Sequence, residues 1–314
     1  LATEYVEDVM RAWRSHGAEG HFTGRHPWLT YHERLAPALA TLVGAEPAEV
    51  IAMNTLTANL HLMLVSFYRP SGTRRAILLE RSAFPSDRHA VESQVRFHGL
   101  DPARDLIEIA PRDGEDLLRT EDIVATIERE RARIATILLP GVQYLTGQLL
   151  DIGAITAAGR KAGCVVGWDL AHAVGNVPVA LHDAGADFAV WCNYKYLNGG
   201  PGAVGGAFVH ARHATDTSLP RFAGWWGHQQ STRFLMAPEF RPTPGAEGWQ
   251  LSNPPILAMA PLAASLDHFA VAGLPALRQK SVALTGYFER LVQARLAGRV
   301  EIITPSAPQA RGAA

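Results

Sequence analysis

The feature that most constrains this chain is the run Asp187-Phe188-Ala189-Val190-Trp191-Cys192-Asn193-Tyr194-Lys195-Tyr196-Leu197-Asn198-Gly199-Gly200-Pro201-Gly202, an apolar strand that leads straight into a lysine and then into glycine-rich backbone. An isolated ammonium at the end of a buried strand loses its hydration, so a lysine is kept there when it is paired or used covalently. The plainer alternative is a side chain that snorkels to solvent. The other two of the three lysines have ordinary settings: Lys161 follows Arg160 late in a helical stretch, and Lys280 closes the polar run Arg278-Gln279-Lys280.

A second strand end tips the balance toward chemistry. Upstream, Val165-Val166-Gly167-Trp168-Asp169-Leu170-Ala171-His172 is another apolar strand that ends in an acid, with a histidine three residues on. Strand ends of this kind meet at the carboxyl edge of an open α/β sheet, where ligands bind. An aspartate on one and a lysine on the other is what a pyridoxal 5'-phosphate (PLP) enzyme needs: the lysine forms the Schiff base and the acid keeps the pyridine nitrogen protonated.

At 314 residues, 47% hydrophobic and 19% charged, the chain has room for one large domain with appendages. A net charge of -1 without a basic run leaves no footprint for nucleic acid or for an anionic membrane, so a small-molecule partner is expected. Cys164 and Cys192 lie in apolar stretches and read as reduced packing residues, which points to the cytoplasm. No apolar run approaches the roughly 18 residues of a membrane helix, and the amino end, Leu1, does not read as a signal peptide.

Along the chain, helical periodicity predicts helices over 3–13 and 31–43, separated by a glycine-rich loop that carries His16, His21 and His26. Their spacing fits no zinc pattern and no thiol stands beside them, so no metal is expected. A short strand over 50–54 runs into an apolar helix at 56–64, which puts Thr55 or Thr57 at a helix amino end. That end either carries a simple N-cap or cradles a phosphate, and its order in the chain favours the phosphate. Strands over 76–80, 106–110 and 134–139 alternate with helices over 87–98, 123–131 and 151–161, which implies parallel βαβ units. Phe84, at a strand's carboxyl end, can lie on a flat ring. Gly200-Pro201-Gly202-Ala203-Val204-Gly205 matches a dinucleotide fingerprint by letter, yet it leads into a strand rather than a helix. The segment 212–250, rich in Trp, Gly, Pro and Arg, reads as functional or interfacial. Helices follow over about 253–271 and 274–296, then a strand from 300 to 304.

Phe84-Pro85-Ser86-Asp87, Asp169-Leu170-Ala171-His172-Ala173-Val174-Gly175-Asn176, Trp191-Cys192-Asn193-Tyr194-Lys195-Tyr196-Leu197-Asn198 and Ser252-Asn253-Pro254-Pro255 together resemble kynureninase, over nearly the whole chain. The resemblance implies the fold-type I PLP-dependent transferase fold, an α/β architecture with a mostly parallel sheet sandwiched by helices. It divides the chain into an amino-terminal helical segment (1–45), a large PLP-binding domain (46–272) and the start of a small carboxyl-terminal domain (273–314).

By the same resemblance Lys195 is the Schiff-base lysine, Asp169 the partner of the pyridine nitrogen and Phe84 the stacking ring, with Leu56 and Thr57 beside the phosphate. Pro85, Ser86, Asp87, His172 and Tyr194 complete the cofactor shell. Trp225 and Asn253 reach the cofactor of a neighbouring subunit in a homodimer, and His21, His228, Ser252 and Asn253 lie near the substrate. The implied reaction is hydrolysis of L-kynurenine, or its 3-hydroxy form, to an anthranilate and L-alanine, with Tyr194 either a proton donor or a phosphate ligand. The family pattern also has an arm before Leu1 and a carboxyl-terminal domain bearing the arginine that grips the substrate carboxylate, so this chain is expected to be a poor catalyst. The alternatives are another fold-type I lyase, such as a cysteine desulfurase or selenocysteine lyase, and a non-catalytic relative.

Overall fold

The computed structural model describes residues 1–313. Helix α1 (Ala2–His16) passes through short 3-10 turns to α2 (Ala36–Val43). The alternation then begins with β1 (Val50–Met53), α3 (Leu56–Phe67), β2 (Ala76–Glu80), α4 (Pro85–Phe97), α5 (Pro102–Asp105) and β3 (Leu106–Ile109). It continues through α6 (Thr120–Arg129), β4 (Ile134–Pro140), α7 (Ile152–Lys161), β5 (Val165–Asp169), α8 (Leu181–Ala184), β6 (Phe188–Cys192) and β7 (Gly205–Val209). Helices α9 (Gln230–Arg233), α10 (Ile256–Ala272) and α11 (Leu274–Leu296) follow.

The strands form one sheet in the order β1-β7-β6-β5-β4-β2-β3. Neighbours from β3 to β6 are parallel, and β7 runs antiparallel to both β6 and β1. Side chains alternate across each strand, so Ala189 and Trp191 of β6 join Trp168 on one face while Phe188 and Val190 join Phe67 and Trp249 on the other. Helices α3 and α4 cover the second face, and α2, α6, α7 and α10 cover the first. Burial on both faces is why β5 and β6 read as continuous apolar runs. The indoles still find acceptors: Trp168 donates to Thr156 Oγ1 at 3.0 Å, Trp191 to Asn193 Oδ1 at 2.8 Å and Trp249 to Ser66 Oγ at 2.9 Å.

Because β1, β2, β4, β5 and β6 run the same way, they end on one edge with Met53, Glu80, Pro140, Asp169 and Cys192. The glycines after Lys195 lead into β7, a strand, so they open no dinucleotide-type helix.

Two expectations need correction. Residues 31–43 are not one helix: α2 starts only at Ala36, and a 3-10 turn, Glu33–Leu35, precedes it. Pro37 in the first turn marks that start, because a proline there gives up only an amide that the helix would leave unpaired. Residues 300–304 form no strand: the backbone bond there, Val300 N–H to the Leu296 carbonyl at 3.3 Å, is a local turn from the end of α11, and the sheet and bridges among the described residues do not include them. Instead the chain turns at Pro308–Ala310, and Arg311 bridges to Gln148.

Helix α1 packs on α10, where the Tyr5 hydroxyl donates to Asp267. Helix α11 buries no residue fully and leaves Leu284, Tyr287 and Phe288 exposed. Among the described residues, no single helix is long and apolar enough to cross a membrane.

Candidate active site

Strands β5 and β6 are adjacent and parallel, so the loops that leave them open side by side. Lys195 lies three residues past β6, and its Nζ is 2.8 Å from His172 Nε2 and 5.7 Å from the centroid of the Phe84 ring. Burial, and then the Lys195 charge, hold the His172 imidazole below its ordinary pKa, so the ring is the neutral partner. Asp169 is buried, with Oδ1 accepting the backbone N–H of Ala171 at 2.7 Å. The buried Asp87 faces it, and burial followed by the Asp169 charge drives the Asp87 pKa far above the carboxylate range. Asp87 is therefore the carboxyl that stays protonated.

The opposite end of the cleft is built for an anion. Asn54 leaves β1 at φ 47°, a left-handed turn that asparagine tolerates, and α3 begins two residues later. Thr55, at the N-cap, makes no side-chain capping bond, so the helix amino end is left for another acceptor. Thr57 Oγ1 and Ser86 Oγ lie 2.8 Å apart and join this end to the start of α4. Pro85 is the first residue of α4, where it starts the turn that carries Ser86 and Asp87.

One cleft is therefore lined by Leu56, Thr57, Phe84, Ser86, Asp87, Asp169, His172, Tyr194 and Lys195. The residues fit PLP. The cleft offers a lysine amine, an acid pair, a partly exposed aromatic ring and an uncapped helix end, and both Asp87 Oδ1 and His172 Nδ1 are buried without partners. Tyr194 is more than half exposed, and the Cys192 thiol beside it, then burial, raise its phenol pKa.

Five of the implied site residues lie elsewhere. His21 packs edge-on to Trp28 at 5.3 Å, and its neighbour Phe22 meets Phe234 at 6.3 Å. Phe234 in turn meets Trp225, whose Nε1 donates to the Arg233 carbonyl at 3.1 Å. His228 is buried, bonded to Thr232 Oγ1 and to the Arg241 N–H. His21, Trp225 and His228 thus sit around one aromatic cluster that also exposes Leu235 and Met236. Ser252 and Asn253 are exposed in the turn before α10.

Sequence reasoning gave no role to Glu80 or Tyr144, which also line the cleft, nor to Gln143, which bonds to Glu80. Glu80 carried the signal applied to Asp169, an acid closing an apolar strand. The sequence order puts the loop 141–147 at the active edge without saying which of its side chains face the cleft; the Tyr144 ring does, and meets Phe84 edge-on at 5.3 Å.

Residues 14–313 match the aminotransferase class-V family, the class that this sheet and cleft define. Within it the chain belongs to the kynureninase family. Kynureninase of Stenotrophomonas maltophilia (strain K279a) is 60% identical over 307 residues, spanning 98% of this chain and 72% of that protein. The kynureninases of Xanthomonas campestris pv. campestris (strain 8004) and Koribacter versatilis (strain Ellin345) are 59% and 58% identical over 311 and 309 residues, spanning 99% and 98% of this chain and 73% of each protein. Among solved structures, the cystine C-S lyase C-DES in complex with cysteine persulfide has a TM-score of 0.77 at 18% identity, covering 99% of this chain and 78% of its own. An apo cysteine desulfurase from Thermococcus onnurineus NA1 has a TM-score of 0.74 at 16% identity, covering 98% and 74%. At those identities the likeness is one of fold.

Proposed function

We propose that this chain uses PLP to hydrolyse the Cβ–Cγ bond of L-kynurenine or its 3-hydroxy form, releasing an anthranilate and L-alanine as in tryptophan catabolism. The observation that carries the reading is the Lys195 amine facing a buried acid pair in one cleft, in a chain 60% identical to a kynureninase over 307 residues. When bound, PLP supplies the electron sink that this bond cleavage requires.

The chain's own groups divide the remaining work. Lys195 holds the cofactor and then moves the proton at the substrate Cα, with neutral His172 2.8 Å away to accept from its amine. Asp169, with Asp87 behind it, keeps a positive charge at the pyridine nitrogen. The α3 amino end, Thr57 and Ser86 take the phosphate. Phe84 covers the ring face, and Tyr194 is placed either to donate a proton late in the reaction or to bind the phosphate.

The cysteine desulfurase alternative needs a mobile thiol, whereas Cys192 is buried in β6 and burial raises its pKa. The test is to add L-kynurenine to the PLP-loaded protein and follow anthranilate fluorescence. Release of sulfide from cysteine with no anthranilate would replace this reading with the desulfurase one, and a loaded protein inert to both would favour the non-catalytic relative.

The proposal includes a cytoplasmic homodimer. Its support is the exposed aromatic cluster of Phe22, Trp225 and Phe234, which gathers three residues implied to act in the site yet lies outside this protomer's cleft. Light scattering that finds only monomer while PLP stays tightly bound would remove the dimer.

A further inference from the structure

Glu80 is a buried carboxyl in the cleft to which the mechanism above assigns no task. It closes β2, and the side-chain hydrogen bond it accepts comes from Gln143 Nε2 at 3.3 Å. The orientation of Gln143 is set from its other side. Its Oε1 accepts the backbone N–H of Leu145 at 2.6 Å, that of Thr146 at 2.8 Å and the Thr146 hydroxyl at 3.3 Å. The amide nitrogen must therefore point at Glu80.

Gln143 belongs to the loop that leaves β4, and the same loop carries Tyr144 to the edge of the Phe84 ring. The outer side of this loop is gripped by the chain's last described residues: Leu149 donates to the Ala310 carbonyl at 2.9 Å, and Gly312 donates to that of Gly147 at 2.9 Å. Helix α11 holds that segment in turn, through Arg278 on the Arg311 carbonyl at 2.6 Å and Glu289 on the Arg311 guanidinium at 3.4 Å. A continuous chain of hydrogen bonds thus runs from α11 to the cleft, and its last link is Gln143 to Glu80.

We propose that Glu80 is a positioning residue for the reaction. By holding Gln143 it fixes the loop over 141–149, seats Tyr144 against Phe84, and ties α11 to the cofactor cleft. Burial drives the Glu80 carboxyl up to about 7, and the Gln143 bond pulls the other way, as a donor held against a carboxyl does. The activity readout rests on the function proposed above, while the structural readout does not.

The test compares Glu80→Gln, which keeps an acceptor for Gln143, with Glu80→Leu and Gln143→Leu, which break the bond from either side. In cofactor-free protein, hydrogen exchange at the Leu145 and Thr146 amides should quicken in both leucine variants and stay as in the parent for Glu80→Gln. In PLP-loaded protein, both leucine variants should lose roughly tenfold in kcat/KM, the scale of one broken buried hydrogen bond, with Glu80→Gln close to the parent. The Glu80→Leu/Gln143→Leu double variant should be no worse than either single one. Gln143→Leu also removes the acceptor of these two amides, so Glu80→Leu is the deciding variant: unchanged exchange in it, or a Glu80→Gln variant as impaired as Glu80→Leu, would overturn the proposal. A parent with no turnover at all would count against the proposed function instead, and the exchange measurement would still decide the role of Glu80.

Discussion

Glu49 and His182 close an ion pair at the sheet edge opposite the cleft, with His182 Nδ1 2.9 Å and 3.0 Å from the two carboxylate oxygens. Glu49 also accepts backbone N–H groups from Ala211 at 2.7 Å and Glu46 at 2.8 Å. Burial alone would raise the Glu49 pKa, but the two amides and His182 outweigh it and hold it below 4.5. Hydrogen bonding to Glu49, and then its charge, lift His182 above 6.5. The His210 ring stacks on His182 at 4.9 Å and, through burial first, is held below its ordinary value.

The signs define a pH window. The depressed Glu49 adds stability above its unfolded pKa and loses it as pH falls through the folded value. The raised His182 adds stability below its unfolded pKa and loses it as pH rises through the folded value. Together they contribute most between about pH 4.5 and about pH 6.5. The melting-temperature gap between the parent and His182→Gln should therefore be widest there and shrink toward about pH 8. A gap that does not change with pH would mean the pair carries no charge-dependent stability.

Lys195 should be the residue that PLP occupies covalently. Its Nζ faces His172 and the Phe84 ring inside the cleft, whereas Lys161 and Lys280 line no part of it. Borohydride reduction of the loaded protein and peptide mapping should place the label on Lys195. Label on either of the other two lysines would move the site.

Asp169→Asn should leave PLP bound and slow turnover by orders of magnitude, because an amide cannot hold a positive charge at the pyridine nitrogen. Asp87 sharpens the expectation. Burial is the first cause of its raised pKa and remains in the Asn variant, so Asp87 does not take over the negative charge that the substitution removes. Near-normal kcat in the Asn variant would make Asp169 a structural acid.

The strands, their order of appearance and the Lys195 and Asp169 ends were legible because burial on both faces of a parallel sheet writes long apolar runs, and a charge at the end of such a run stands out. The phosphate end was legible only as a pair of readings. The structure adds that Thr55 makes no capping bond, which leaves the α3 amino end to a ligand. Glu80 and Gln143 were missed because their meeting depends on the path of the loop after β4, which long-range contacts with 310–312 hold in place. A strand over 300–304 looked sound by local propensity, but pairing is a tertiary matter that five residues cannot encode.

The Lys195 loop should also be sensitive to one glycine in the neighbouring strand. Gly206 of β7 pairs with Trp191 of β6, and a Cβ at 206 would fall inside the van der Waals shell of the Trp191 indole. The glycine is required for space. Trp191 is fully buried and cannot swing away, because its Nε1 donates to Asn193 Oδ1 at 2.8 Å and Asn193 Nδ2 is held by the Val204 carbonyl at 2.7 Å. Asn193 also opens the loop to Lys195, accepting the Gly199 N–H at 2.8 Å on its carbonyl. Gly206→Ala should thus cost about 1–3 kcal/mol from overpacking, read as a lower urea midpoint at unchanged slope. It should also weaken PLP retention by shifting Asn193. Adding Trp191→Phe should recover part of the stability, since the smaller ring leaves room for the methyl, but not the cofactor affinity, since phenylalanine cannot donate to Asn193. A Gly206→Ala protein that unfolds at the parent's midpoint and holds PLP as tightly would show that the sheet accommodates the methyl without moving Trp191.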